Sequence, residues 1–287
     1  MMQRLKTLAV VSLTSTALAA CTSLDQDAQS SASAGTDAQS TPSATVDGAT
    51  LPAFFVDWTE RALNSRWYVS NHDTKNGQWA SDWRSKNVIA LPNGLNLKMT
   101  SKAPVNGTWP WAGAEIQYRR RLGFGEYQMI VRAAEGSGLT SGFFTYTGPY
   151  YGTETNEIDV KFVGKSPNEV QFNAHSGRLN AGLMKYPLDF DTTKNFALYS
   201  FIWAPDRITW YVNGEFAHEV TADNFNIPQE PSILFANVYQ ARNKEWVGEP
   251  NFEDGATASY RCMSYRPLDD SSSRTCADVY DSYITGE

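Results

Sequence analysis

Glu157-Ile158-Asp159-Val160-Lys161-Phe162-Val163 decides how this chain folds. In an extended strand alternate side chains share a face. Glu157, Asp159 and Lys161 therefore point one way, and Ile158, Val160 and Phe162 point the other. Charges are rarely buried without partners. Two acids and a lysine aligned on an otherwise apolar strand read as the floor of a cleft, with the apolar row turned toward a core.

Working outward, the text stays β-like from about Leu51. Strands are predicted at Asn87–Thr100, Ala114–Arg120, Tyr127–Ala133, Glu157–Val163, Glu169–Ala174, Ala197–Ala204, Arg207–Val212 and Ser232–Tyr239. Turn signals separate them, among them Pro92-Asn93-Gly94, Gly136-Ser137-Gly138 and Ala204-Pro205-Asp206. Asn213-Gly214 between two β-like runs is a two-residue hairpin signal. Phe55–Leu63 reads as one short helix. Many short strands with regular turns imply an all-β sandwich. No internal repeat is visible.

The first 50 residues differ from the rest. Arg4 and Lys6 precede a mostly apolar stretch, Leu8 to Ala20, that ends at Leu18-Ala19-Ala20-Cys21. Residues 1–20 read as a secretory signal. The small residues before Cys21 resemble a bacterial lipobox, which implies lipid attachment at Cys21. Residues 21–50 hold Ser, Thr, Ala, Gly, Asp and Gln with no aromatic residue, so they read as a disordered tether. Thr22 after the cysteine favours the outer membrane over the inner one. The expected location is the bacterial cell envelope, with membrane contact only through the lipid. Residues 51–287 form the folded domain.

Three cysteines are present. With Cys21 lipidated, Cys262 and Cys276 remain for a disulfide in an oxidising compartment. The three histidines lack a zinc-ligand spacing, so no metal and no cofactor are expected. The formal charge is −7, which excludes a typical nucleic-acid binder. Arg119-Arg120-Arg121 splits between strand faces and reads as a solvated edge. A monomer is expected.

Four segments then fall into one register: Ser141-Gly142-Phe143-Phe144-Thr145-Tyr146-Thr147-Gly148-Pro149, Asn156-Glu157-Ile158-Asp159-Val160, Phe162-Val163-Gly164-Lys165 and Val170-Gln171-Phe172-Asn173. Together with Trp210-Tyr211-Val212-Asn213-Gly214, Asn237-Val238-Tyr239 and Glu245-Trp246-Val247-Gly248 they resemble glycoside hydrolase family 16. Within it they are most similar to bacterial lichenase-type β-glucanases, over roughly residues 54–265. The resemblance implies a jelly-roll sandwich with a concave carbohydrate cleft. It implies endo-acting, retaining cleavage of a β-linked polysaccharide.

Retaining hydrolysis needs two carboxyls about 5–5.5 Å apart, a nucleophile and an acid/base. In the family pattern Glu-x-Asp-x-Glu, Glu157 matches the nucleophile and Asp159 the residue that tunes it. The acid/base position holds Lys161. An ammonium beside two carboxylates is a poor general acid, because its pKa lies far above working pH. His175, on the neighbouring strand, is a candidate surrogate acid or a plain sugar contact. The resemblance also implies sugar contacts at Asn76, Glu115, Phe144, Tyr146, Gln171, Asn173, Tyr239 and Trp246. Trp109 and Trp111 read as cleft rim. The usual family disulfide is missing, since its positions fall near Ser81 and Gly113. A structural calcium is put in doubt by Arg261. These residues imply either a glycosidase or transglycosylase on a β-glucan or exopolysaccharide, or a catalytically impaired polysaccharide-binding lipoprotein.

Overall fold

Alternation and turn chemistry in the sequence produce eighteen strands in the computed structural model, which describes residues 52–75, 77–102 and 109–284. In chain order they are β1 Phe54–Asp57, β2 Trp67–Val69, β3 Asp82–Trp83, β4 Val88–Leu91, β5 Gly94–Lys98, β6 Thr100–Ser101, β7 Trp111–Leu122, β8 Gly125–Arg132 and β9 Leu139–Thr147. They continue as β10 Asn156–Val163, β11 Glu169–Ser176, β12 Leu179–Asn180, β13 Met184–Pro187, β14 Ala197–Ala204, β15 Arg207–Val212, β16 Glu215–Thr221, β17 Ser232–Gln240 and β18 Thr257–Pro267. The signal segment, the tether and Cys21 lie outside the described residues, as does Asn76.

The strands form two sheets, giving the expected all-β jelly-roll sandwich. One runs β16-β15-β14-β8-β18-β5-β4, with β1 also on β18. The other runs β12-β11-β10-β9-β17-β7-β2, with β13 on β11 and β3 and β6 on β7. Ile158, Val160, Phe162 and Phe172 leave the second sheet for the shared core. Tyr127, Tyr199, Phe201, Trp203 and Trp210 meet them from the first. Phe172 stacks on Trp210 at 5.7 Å, and the indole N–H of Trp210 donates to the Asp159 carbonyl at 3.1 Å. That bond pins the backbone of β10 from below while its charged row points the other way.

Asn213 and Gly214 turn the β15–β16 hairpin with φ of 52° and 82°. Both central residues of this turn need positive φ, which Asn and Gly tolerate best. The expected strand Asn87–Thr100 is broken at its own turn signal into β4 and β5, and again at Met99 before β6. The short helix expected at Phe55–Leu63 does not form. Residues 54–57 are a strand instead, because pairing with β18 and stacking of Phe54 on Tyr118 at 4.5 Å outweigh a local helical spacing. Asp57 ends that strand by accepting from the Thr59 amide at 2.9 Å.

The tail covers the outer face of the first sheet. Cys262 and Cys276 are disulfide-bonded with Cα atoms 5.7 Å apart, buried against Ile130 and Leu198. A short helix, Tyr280–Ile284, follows, and the Tyr283 hydroxyl donates to Asp57. The Arg261 guanidinium stacks over Phe196 at 4.5 Å and Tyr283 at 5.7 Å. Gly113 and Ser81 are neighbours across β3 and β7: a Cβ on Gly113 would lie 3.3 Å from Ser81 Oγ.

Candidate active site

Strand β10 lies between β9 and β11, so its charged row is flanked on both sides. Glu157 pairs with Tyr146 and His175, Asp159 with Phe144 and Asn173, and Lys161 with Gly142 and Gln171. Phe144 stacks on Phe235 of β17 at 5.0 Å, almost parallel. The face thus presents an acidic and amide-rich band beside an aromatic one, the combination that grips hydroxyls and apolar sugar faces.

Lys161 Nζ donates to Glu157 Oε1 at 3.1 Å and lies 2.9 Å from Asp159 Oδ1. The second contact is electrostatic, since Asp159 Oδ1 has no aligned hydrogen bond among the described residues. Side chains 157 and 161 are 13% exposed and Asp159 3%, so this charge cluster is nearly out of water. Burial alone would raise the Glu157 pKa, but the Lys161 ammonium and then His175 outweigh it and hold it low. Asp159 goes the other way, well above the carboxylate range, through burial and the Glu157 charge. Burial opposes the charge on Lys161, yet Asp159 and Glu157 lift its pKa well above the ordinary value. These directions keep Glu157 an anion and Lys161 a cation, and make Asp159 the carboxylate of the pair that takes a proton more readily.

Glu115 sits on the same face, three strands away along the row Lys161–Gly142–Asn237–Glu115. Its carboxylate accepts from Ser70 Oγ at 2.6 Å, Gln117 Nε2 at 2.9 Å and Asn237 Nδ2 at 3.4 Å. No cation is among these donors, and burial raises its pKa.

The other expected contacts gather around this floor. Gln171 accepts from the Trp246 indole at 2.8 Å. Asn173 Nδ2 lies 3.2 Å from His175 Nε2, which is 3.9 Å from Asp159 Oδ2. In the strand register His175 stands opposite Glu157, whereas Lys161 has Gln171 opposite. His175 therefore serves the Glu157 end of the row. Phe144 and Tyr146 are half-buried on the cleft side, and Tyr146 is pushed up to about 12 by burial and Glu157. Tyr239 is buried against Trp83 at 6.1 Å, and burial pushes it up to about 12. Trp109 stays at the rim under Arg242, 5.5 Å from its ring, while Trp111 packs on Phe252 at 4.4 Å.

Ser70, Gln117, Phe235 and Gly142 were not expected here. Alternation with Asn237 and Tyr239 could have found Phe235. Gly142 matters by lacking a side chain, since a Cβ there would lie 2.9 Å from Asn237 Oδ1. Glu157, Asp159 and His175 each place a ligand-type atom within 4.8 Å of the others. The Lys161 ammonium is already paired with both carboxylates, so a metal would have to displace it.

A two-sheet jelly roll with carboxylates, amides and aromatic rings along one open face defines a carbohydrate-cleft protein of the glycoside hydrolase class. The family model for glycosyl hydrolases family 16 matches residues 75–260, and the chain belongs to that family. A β-glucanase of Paenibacillus macerans is 34% identical over 203 residues, covering 70% of this chain and 83% of that protein. The endo-1,3-1,4-β-glycanase ExoK of Rhizobium meliloti is 32% identical over 189 residues, covering 66% and 69%. A solved β-1,3-1,4-glucanase (lichenase) from a mouse hindgut metagenome superposes with TM-score 0.71 at 32% identity, covering 76% of this chain and 100% of its own. The Bacillus licheniformis β-glucanase gives 0.69 at 28%, covering 76% and 99%.

Proposed function

We propose that this chain is an endo-acting retaining glycosidase, or a transglycosylase sharing the same first step, on a β-linked glucan or exopolysaccharide. Glu157 is its nucleophile and Lys161 stands at the acid/base position. The carrying observation is an ionised, nearly buried carboxylate on the open face, flanked by Tyr146 and His175. Asp159 beneath the same ammonium sets its charge. The relatives named β-glucanase support the substrate class.

Chemically, Glu157 attacks the anomeric carbon and the leaving sugar oxygen must take a proton. Lys161 holds its proton too tightly to supply it well, and its ion pair blunts the attack. A missing general acid costs about 10²–10⁴-fold in rate. Turnover is therefore slow on unactivated linkages and faster on glycosides with a good leaving group. His175 is one candidate proton source. His175→Phe tests it, and an unchanged pH–rate profile removes it.

Reducing-end release from lichenan, laminarin and bacterial exopolysaccharide by residues 51–287 tests the enzyme reading. Release that disappears in Glu157→Gln supports it. Equal release by parent and variant overturns the assignment of Glu157. The double pairing of Lys161 favours a second reading, a polysaccharide binder. Glycan binding without release, joined by release in Lys161→Glu, selects that one.

The same proposal puts the protein on the bacterial outer membrane, anchored through lipidated Cys21. Incorporation of labelled palmitate, lost in Cys21→Ser, tests the anchor. An unlabelled parent protein overturns it.

A further inference from the structure

Straight across the sheet from Glu157, the strand register runs through Tyr146 and Ile233 to Arg121. Three strand spacings make this about 14 Å between Cα atoms. A glycan crossing the strands from Glu157 therefore reaches Arg121 after passing Tyr146. Two arginine–tyrosine pairs stand at that end. Arg121 lies 5.7 Å over the Tyr151 ring and donates to the Tyr151 carbonyl at 2.9 Å. Arg119 lies 5.3 Å over the Tyr68 ring, and Tyr68 pairs with Gln117 beside Glu115. Tyr151 also meets Tyr146 edge-on at 6.3 Å and Tyr150 at 5.0 Å, which makes the aromatic surface continuous from the nucleophile outward.

Both guanidiniums are held but not neutralised. Among the described residues neither has a carboxylate oxygen within 4.0 Å, and Arg119 is exposed. By contrast Arg84 and Arg266 each pair with an acid. Stacking on a ring fixes a guanidinium's plane and leaves edge N–H groups for a carboxylate, beyond the one that Arg121 gives to the Tyr151 carbonyl. Lys161 cannot serve this purpose, because Glu157 and Asp159 already engage it.

We propose that Arg119 and Arg121 form a distal subsite that reads a carboxylate on the glycan, so that the natural substrate is an acidic β-glucan carrying uronate, succinyl or pyruvyl groups. Tyr68 and Tyr151 carry the sugar rings and the arginines read the charge. The inference rests on the cleft reading above.

Calorimetry on the chain tests it with two probes: β-1,3-1,4-glucan oligosaccharides, and the same oligosaccharides partly oxidised at C6 to glucuronosyl units. Two partly exposed ion pairs predict about tenfold tighter binding of the oxidised form at low salt. The preference shrinks in high salt. It disappears in Arg119→Gln/Arg121→Gln, while affinity for the neutral form changes far less. Arg119→Gln alone leaves the Arg121 bond to Tyr151 intact, halves the preference on a logarithmic scale, and guards against misfolding. Equal affinity of the parent for both probes overturns the subsite and leaves the cleft reading standing. A preference that survives in the double variant also overturns it. Failure of both probes to bind overturns the cleft reading and this subsite together. A general polyanion effect is disfavoured by the protein's own charge, which repels anions.

Discussion

Glu115 and Glu157 are two glutamates on one face of one sheet, and they meet burial in opposite ways. Glu115 is surrounded by hydroxyl and amide donors, and its pKa rises. Glu157 has an ammonium at 3.1 Å, and its pKa falls. Neutral dipoles satisfy the lone pairs of a buried carboxylate without repaying the lost hydration of its charge. A full counter-charge does repay it. The same difference separates their uses. A carboxylate held by neutral donors fits the proposed acceptor of sugar hydroxyls, and one kept ionised beside a cation fits the proposed nucleophile.

The strongest way to break this contrast is Lys161→Glu. It places a second carboxyl beside the first, and glucan release should rise by about 10²–10⁴-fold. No gain in a reducing-sugar assay would detach Lys161 from the chemistry. Next in size is Lys161→Met, which strips the cation from two buried acids. Breaking such a cluster from one side costs about 3–5 kcal/mol, read by urea denaturation at pH 7. In the same variant the Glu157 pKa should climb past its ordinary value, as that of Glu115 does. NMR titration of the carboxyl carbons checks this.

pH separates the pair by sign. Glu157 has a depressed folded pKa, so its stabilisation is present above the unfolded value and is lost as pH falls through the folded one. Glu115 has a raised folded pKa, so its contribution shrinks as pH climbs from the unfolded value toward the folded one. Glu115→Gln should therefore flatten the loss of stability between mildly acidic and neutral pH, as measured by thermal midpoints. A steeper profile would contradict the raised pKa. The smallest effect belongs to Ser70→Ala, which removes one donor from Glu115. It should cost about 1–3 kcal/mol while lifting the Glu115 pKa further.

The charged row of β10 was legible because period-two alternation needs only local sequence. Strands Ala197–Ala204 and Arg207–Val212 have the predicted bounds, since turn residues close both ends. β18 was not read as a strand. Eight of its eleven residues are buried and none is exposed, so Thr257–Pro267 carries no clean alternation. Phe55–Leu63 failed for a different reason: its partner strand lies some two hundred residues away, at Cys262–Tyr265. The Glu115 network was equally hidden, because Ser70 is 45 positions away and nothing local marks it as a partner. Lys161 stood out against the resembled family pattern, yet its grip on Asp159 as well as Glu157 depends on side-chain positions that alternation does not specify.

Gly142 lies between the two glutamates, beside Lys161 on one side and Asn237 on the other. Added volume there would press first on the Asn237 amide, whose nitrogen faces Glu115. One empty Cβ position thus lies between the Lys161–Glu157 pair and the Glu115 network. A methyl group placed at that spot would lean on the Asn237 amide and the edge of Phe144, and so would disturb a donor of Glu115 without touching Glu157.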